Sequence, residues 1–273
     1  MDSIELFEKL VKNCKTQQDK IIAILIARGF LIEQTEGKYY LSDNAAVEDL
    51  KYLQELLDSY RLGFVKNAKV RRYSDSQNVI EPYSAEIIIN TDASIDKAVE
   101  AFNSTKQIGF EICRQNRPWH DFFFRNYGLK VPVQYLEPYV SYYVKAVSAC
   151  GVATNFSCDG NHKNGGSIIV ISDYPYNIWH QFLRKISKTE IGTLNIENGI
   201  RFNRDNQYDR YFELIQLADY YYKNRKILRM IKENALSSIK RSQRRKMTDD
   251  EIENLVNLNL STEILKGKEY ERL

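Results

Sequence analysis

The residues best equipped for chemistry in this 273-residue chain stand together at Ser157-Cys158-Asp159-Gly160-Asn161-His162. A thiol, a carboxylate and an imidazole placed this closely could serve more than one reaction. Asp159 and His162, with His180 further along, are residue types that hold a divalent metal or move a proton, and Ser157 adds a hydroxyl beside them. Cys158 could instead act as a nucleophile with His162 as its base. A third reading is purely structural. Asp and Asn favour bends by bonding their own backbone, Gly160, Gly165 and Gly166 suit turns, and His162 is then a surface residue.

The elements that must position these groups are short. Val152–Phe156 has the composition of a strand, Lys163–Gly166 of a tight turn, and Ser167–Ser172 of a second, apolar strand, while Tyr176–Ile186 has helical spacing. Polar and titratable residues thus crowd a bend between buried-type strands, where a rigid scaffold commonly displays a site. With His162 on the first arm and Asn177 and His180 at the start of the helix, the layout resembles the ββα-metal (His-Me finger) nucleases. That resemblance implies a histidine that activates water and a helix residue that holds a divalent ion against a phosphate.

A second resemblance covers about 25 residues. Thr154-Asn155-Phe156-Ser157-Cys158-Asp159-Gly160, preceded by a helix and followed by the strand Ile168–Ile171, is similar to the T-x-S-S-C-S-G-R strand of the wybutosine-synthesis methyltransferases. Thr154, Ser157, Cys158 and Gly160 match, whereas Phe156, Asp159 and Asn161 depart from the pattern. This resemblance implies modification of a tRNA guanosine with S-adenosylmethionine.

Composition sets the frame. With 43% hydrophobic and 12% aromatic residues the chain can bury a sizeable core, which excludes global disorder. A net charge of only +3 means that contacts to nucleic acid must come from local patches. One lies in Arg114–Tyr127, where Arg117 and Trp119 could grip a phosphate and stack on a base. The same residues equally suit an aromatic core segment whose arginines reach solvent. The other is Lys240–Lys246, with five cations in seven residues. There Arg241, Arg244, Arg245 and Lys246 could neutralise phosphates, or simply end a helix in solvent where cations suit its dipole.

Four cysteines without CxxC spacing imply neither a zinc ribbon nor a disulfide framework. The longest apolar run, Ile21–Ala27, is too short to cross a bilayer, and the first residues lack a signal-peptide pattern. A cytoplasmic protein with reduced thiols is the expectation.

Along the chain, helices are expected over 3–13, 16–28 and 45–60, with a hairpin from Phe30 to Ser42 turning at Glu36-Gly37. Helices followed by a hairpin resemble a winged helix. Lys66–Arg72 reads as a short basic strand or linker, residues 74–78 as a polar loop, Ser84–Asn90 as a strand and Ser94–Thr105 as a helix. Leu136–Cys150 is helical with Pro138 in its first turn. Residues 187–199 read as a polar loop and Ile200–Asn203 as a short strand. Tyr208–Lys240 forms one long helix or two, and a capping box of Thr248 and Glu251 opens another helix at Asp249.

The expected fold class is α+β: a winged-helix-like cap over 1–65, a mixed α/β core over 66–205 and a helical basic region over 206–273. The expected function is an enzyme directed at nucleic acid or nucleotides, cleaving phosphodiesters with a divalent metal or modifying RNA. The alternative is a non-catalytic nucleic-acid-binding or regulatory protein, with its helical C-terminus docking on a partner protein.

Overall fold

The computed structural model describes residues 2–74, 77–104, 132–151, 154–159, 168–172, 193–194, 199–202 and 207–237, together with residues 183, 250–251 and 254. The fold is α+β, with helices packed beside antiparallel sheets. No helix among the described residues is long and apolar enough to cross a membrane.

Two capping boxes start the chain. Asp2 accepts from the N–H groups of Ile4 and Glu5 to open α1 (Ser3–Val11), and Thr16 with Asp19 opens α2 (Gln17–Ala27). Gly29 then turns the backbone at φ +108°, where a Cβ would also meet the Ser141 Oγ at 2.8 Å. β1 (Ile32–Thr35) and β2 (Lys38–Leu41) follow as the expected hairpin. Its turn residues Glu36 and Gly37 both have positive φ, 52° and 76°, as a primed turn requires.

After α3 (Val47–Ser59), the basic stretch and the polar loop resolve into more strand than their sequence suggests. β3 (Gly63–Lys66) ends in the basic stretch, and β4 (Val70–Ser74) pairs with β5 (Gln77–Ile80). The polar loop expected over 74–78 therefore overlaps both arms of a small ribbon. These strands are short and, although Ile80 is buried in the core, they lack the alternation by which strands are recognised. β6 (Glu86–Ile89) completes an antiparallel sheet in the order β1-β2-β6-β3. The β1–β2 hairpin is thus one half of a four-stranded sheet whose strands come from both sides of residue 65. Gly63 is required on β3 because a Cβ there would lie 1.9 Å from the Ile88 carbonyl oxygen.

Ser94 caps α4 (Ile95–Asn103). A 3₁₀ turn, Val133–Tyr135, leads into α5 (Pro138–Ala149), with Pro138 in its first turn and Gly151 beyond its end at φ +85°. Every residue of α5 is buried. It packs along α6 (Gln207–Ser237), a single helix about 46 Å long, rather than two, where the expectation left both open. Rings tie the helices together from α1 to α6. Phe7 meets Phe102 edge-on at 5.0 Å, Phe102 meets Tyr139 at 5.1 Å, and Tyr139 stacks on Tyr211 at 4.3 Å.

The second sheet runs β7-β8-β10-β9, from β7 (Thr154–Cys158), β8 (Ile168–Ser172), β9 (Thr193–Leu194) and β10 (Gly199–Phe202). β9 falls in the stretch expected to be a polar loop, since two residues are too few to show alternation. Residues 250–251 and 254 are helical, as the capping box at Thr248 implies.

The hairpin is fastened to α2 by one polar contact. The Tyr39 hydroxyl donates to Asp19 Oδ1 at 2.5 Å, while Asp19 Oδ2 accepts from the Thr16 N–H at 3.0 Å. The Tyr39 bond, ahead of the Thr16 and Lys15 contacts, holds the Asp19 carboxyl below its usual range. Its stabilisation is therefore present above the ordinary aspartate pKa of about 3.9 and disappears as pH falls through the lowered value. Tyr39→Phe should destabilise the protein by about 1 kcal/mol at neutral pH and by less under acid. Urea denaturation across pH checks this; a loss equal at every pH would contradict it.

Candidate functional site

The strand expected over Val152–Phe156 is β7 over Thr154–Cys158, so Ser157 and Cys158 of the candidate site lie in the strand and Asp159 follows it. β7 and β8 pair antiparallel, with Ser157 opposite Val170 and Cys158 opposite Ile169. A register shift between Thr154 and Phe156 bends the strand before it reaches the site. Ser157 is half-buried. Asp159 follows the strand at 3% exposure, and both sides of its backbone are engaged. Its N–H donates to Glu137 Oε2 at 2.5 Å, and its carbonyl accepts from the Tyr211 hydroxyl. Glu137 is the N-cap of α5 and Tyr211 lies near the start of α6, so the two core helices set this residue's position.

His162, His180, Arg117, Trp119, Arg241, Arg244, Arg245 and Lys246 lie outside the described residues, as do the turn glycines and the Cys158 side chain. Among the described residues, no three His, Cys, Asp or Glu side chains gather as a metal site would.

A charged nest that the sequence reading did not anticipate lies close to Asp159. Arg28, the C-cap of α2, is fully buried. Its Nη1 donates to the Val133 carbonyl at 3.5 Å, and its guanidinium carbon lies 5.9 Å from the centre of the Tyr52 ring. Nε and Nη2 have no hydrogen-bond partner among the described residues. Burial lowers the Arg28 pKa, and Tyr52, Asp49 and Asp159 oppose that shift, so both aspartates are near enough to act on its charge.

Asp49 is also fully buried and forms an ion pair with Lys145 at 2% exposure. Its remaining acceptor capacity goes to backbone: the Ala46 N–H at 3.0 Å and the Val133 N–H at 2.6 Å. By formal charge, Arg28 and Lys145 balance Asp49 and Asp159. Lys145 had a legible signal, a lone lysine inside the apolar run Tyr139–Ala149; Arg28 had none, because a cation in the last turn of a helix is ordinarily solvated.

No protein-family model, no curated protein and no solved structure matches this chain.

A second concave region lies on the first sheet, where β2 and the β5–β6 connection face α6. A cavity of about 320 Å³ is lined by Tyr40, Asn44, Tyr83, Arg225, Lys226 and Arg229, among others. A broader depression of about 710 Å³ shares Tyr40, Pro82 and Tyr83 with it and extends to Asn67, Lys69 and Glu81. Tyr40 and Tyr83 meet edge-on at 5.8 Å. Tyr83 is 58% exposed at φ +55°, and Asn67 stands at φ +58°. A bulky residue in the left-handed region costs about 1–3 kcal/mol, so the surrounding structure must hold it there.

Glu33 on β1 organises the α6 side. Its Oε1 accepts from Ser42 at 2.6 Å, from the Tyr222 hydroxyl at 2.9 Å and from Arg225 Nη2 at 2.6 Å. Arg229 donates through Nε to the Ala149 carbonyl at the end of α5 and through Nη2 to Asn44 at 3.0 Å. The basic stretch Lys66–Arg72 contributes Asn67 and Lys69 to the lining of the broader depression.

Proposed function

We propose that this protein is an enzyme acting on nucleic acid or nucleotides at the bend that follows β7. Asp159 and His162 would form the acid–base or metal pair, with Cys158 as a nucleophile if the chemistry is covalent. Arg241, Arg244, Arg245 and Lys246 would hold phosphates. The observation that carries this reading is the clamped position of Asp159. An aspartate at a strand end, fixed through both backbone groups by two core helices and near enough to the buried Arg28 to act on its charge, is pre-organised as catalytic groups must be. A surface turn built only to reverse the chain would need none of these supports.

One observation favours a second reading, a nucleic-acid-binding module without turnover. Lys66, Lys69, Arg71 and Arg72 are exposed along the end of β3 and on β4, making a basic edge beside the exposed Phe64 and Tyr83. Cations and aromatic faces together suit single strands. Turnover assays with labelled RNA and DNA separate the two. Conversion that requires Asp159 supports the enzyme; salt-sensitive binding with no conversion supports the module.

A further inference from the structure

The chemistry of the cleft between Tyr83 and α6 differs from end to end. At the α6 end, Glu33 is matched by Arg225, which leaves Lys226 and Arg229 against Asp43, a surplus of one positive charge on the lining. Arg229 is braced at Nε by the end of α5 and at Nη2 by Asn44, so its planar head is held while Nη1 keeps its donors among the described residues. At the other end the Glu86 carboxylate lies 3.4 Å from Lys38, which leaves Lys69 against Glu81 and no positive surplus. The Asn67 amide and the Glu81 carboxylate make no hydrogen bond among the described residues. Between the ends stands the exposed ring of Tyr83, supported edge-on by Tyr40.

An anionic group belongs at one end, a flat apolar ring at the middle and a hydrogen-bonding edge at the other end. We infer that this cleft binds a nucleoside phosphate, with the phosphate on Arg229 and Lys226, the base on the Tyr83 ring, and the base edge toward Asn67 and Glu81. The smaller cavity alone, about 320 Å³, is at the lower end of the range for small-molecule sites, and the adjoining depression gives room for a base and sugar. The nucleoside phosphate could be free or one unit of a single strand. Stacking on one tyrosine face and contacting a phosphate tolerate either. This inference deepens the nucleic-acid reading by giving the substrate a seat apart from the bend.

The strain at Tyr83 supplies a test that a structural role would fail. Asparagine tolerates the left-handed conformation and lacks the ring. Tyr83→Asn should leave the melting temperature unchanged or raised, while weakening binding by about tenfold or more, as loss of one stacked base does. Lys226→Glu changes an exposed side chain and should weaken binding with a salt slope lower by about one phosphate contact. Binding to the full chain is measured by calorimetry with the ribonucleoside monophosphates, and by anisotropy with a short labelled single strand.

Affinity for the monophosphates lost in both variants supports a free-nucleotide site. Affinity for the strand alone, lost in both, supports a strand site. Wild-type affinity in both variants, or no binding of either probe, overturns the inference. Conversion assayed in parallel separates this from the bend: Asp159→Asn should abolish conversion and keep cleft binding. Conversion intact in Tyr83→Asn with binding unchanged would sink the cleft and leave the bend standing.

Discussion

Lys145→Ala should lower the stability of this protein by about 3–5 kcal/mol, because it leaves the Asp49 carboxylate buried without its counter-ion. Asp49 is fully buried and joins three elements at once, through Lys145 on α5, the start of its own helix α3 and the Val133 N–H that leads into α5. Truncating the lysine also opens space within the tightest part of the core, where α5 is buried along its whole length. The damage should be coupled to the aspartate. In the double variant Lys145→Met with Asp49→Asn, the uncompensated charge is gone, and Asn can still accept from Val133. That protein should be more stable than Lys145→Ala alone, despite carrying one more change. Denaturant titrations of both variants check the order. If the double variant were the less stable, Asp49 would not owe its position to the ion pair.

The second large effect concerns activity. Asp159→Asn should reduce conversion by about 10²–10⁴-fold while the protein remains folded, the usual range for loss of a positioned acid–base group. Asparagine keeps the shape and the backbone bonds to Glu137 and Tyr211, while the loss of a charge that balances the buried Arg28 lowers stability as well as removing the proton chemistry. Tyr211→Phe is the complementary variant. It removes the hydroxyl bonded to the Asp159 carbonyl but keeps the ring stacked on Tyr139. As a positioning residue it should cost about 1 kcal/mol of stability and give a smaller loss of rate, with the pH profile unchanged. Asp159→Asn should change that profile. Identical profiles in the two variants would mean that Asp159 is only a structural support.

Much of the scaffold is legible in the chain itself. Helix starts carried their own chemistry in Thr16 and Ser94, and Glu36-Gly37 marked the hairpin, because caps and primed turns need particular side chains at particular positions. The antiparallel pairing of β7 with β8 was readable for the same reason, an apolar strand facing another across a glycine-rich bend.

What was not readable depended on distance in sequence. Arg28, Asp49, Lys145 and Asp159 come from elements far apart, and no local pattern signals that an arginine in the last turn of a helix will be buried beside them. Likewise, Tyr83 and Arg229 line one cavity because β6 inserts beside β2 and α6 is tied to β1 through Glu33. Such pairing is decided by packing, not by spacing. For the basic stretch a strand was one of two readings, whereas β5 and the two-residue β9 were read as loop because so few residues show no period.

The most direct test uses the purified full chain with labelled single- and double-stranded RNA and DNA, in Mg²⁺ or Mn²⁺ and in EDTA, with S-adenosylmethionine supplied in a parallel set. Asp159→Asn and His162→Ala are run beside the wild type. Cleavage or modification of one of these substrates, lost in both variants while both remain folded, is the result expected of an enzyme centred on the bend. Absence of any conversion, or conversion that persists in both variants, would contradict it.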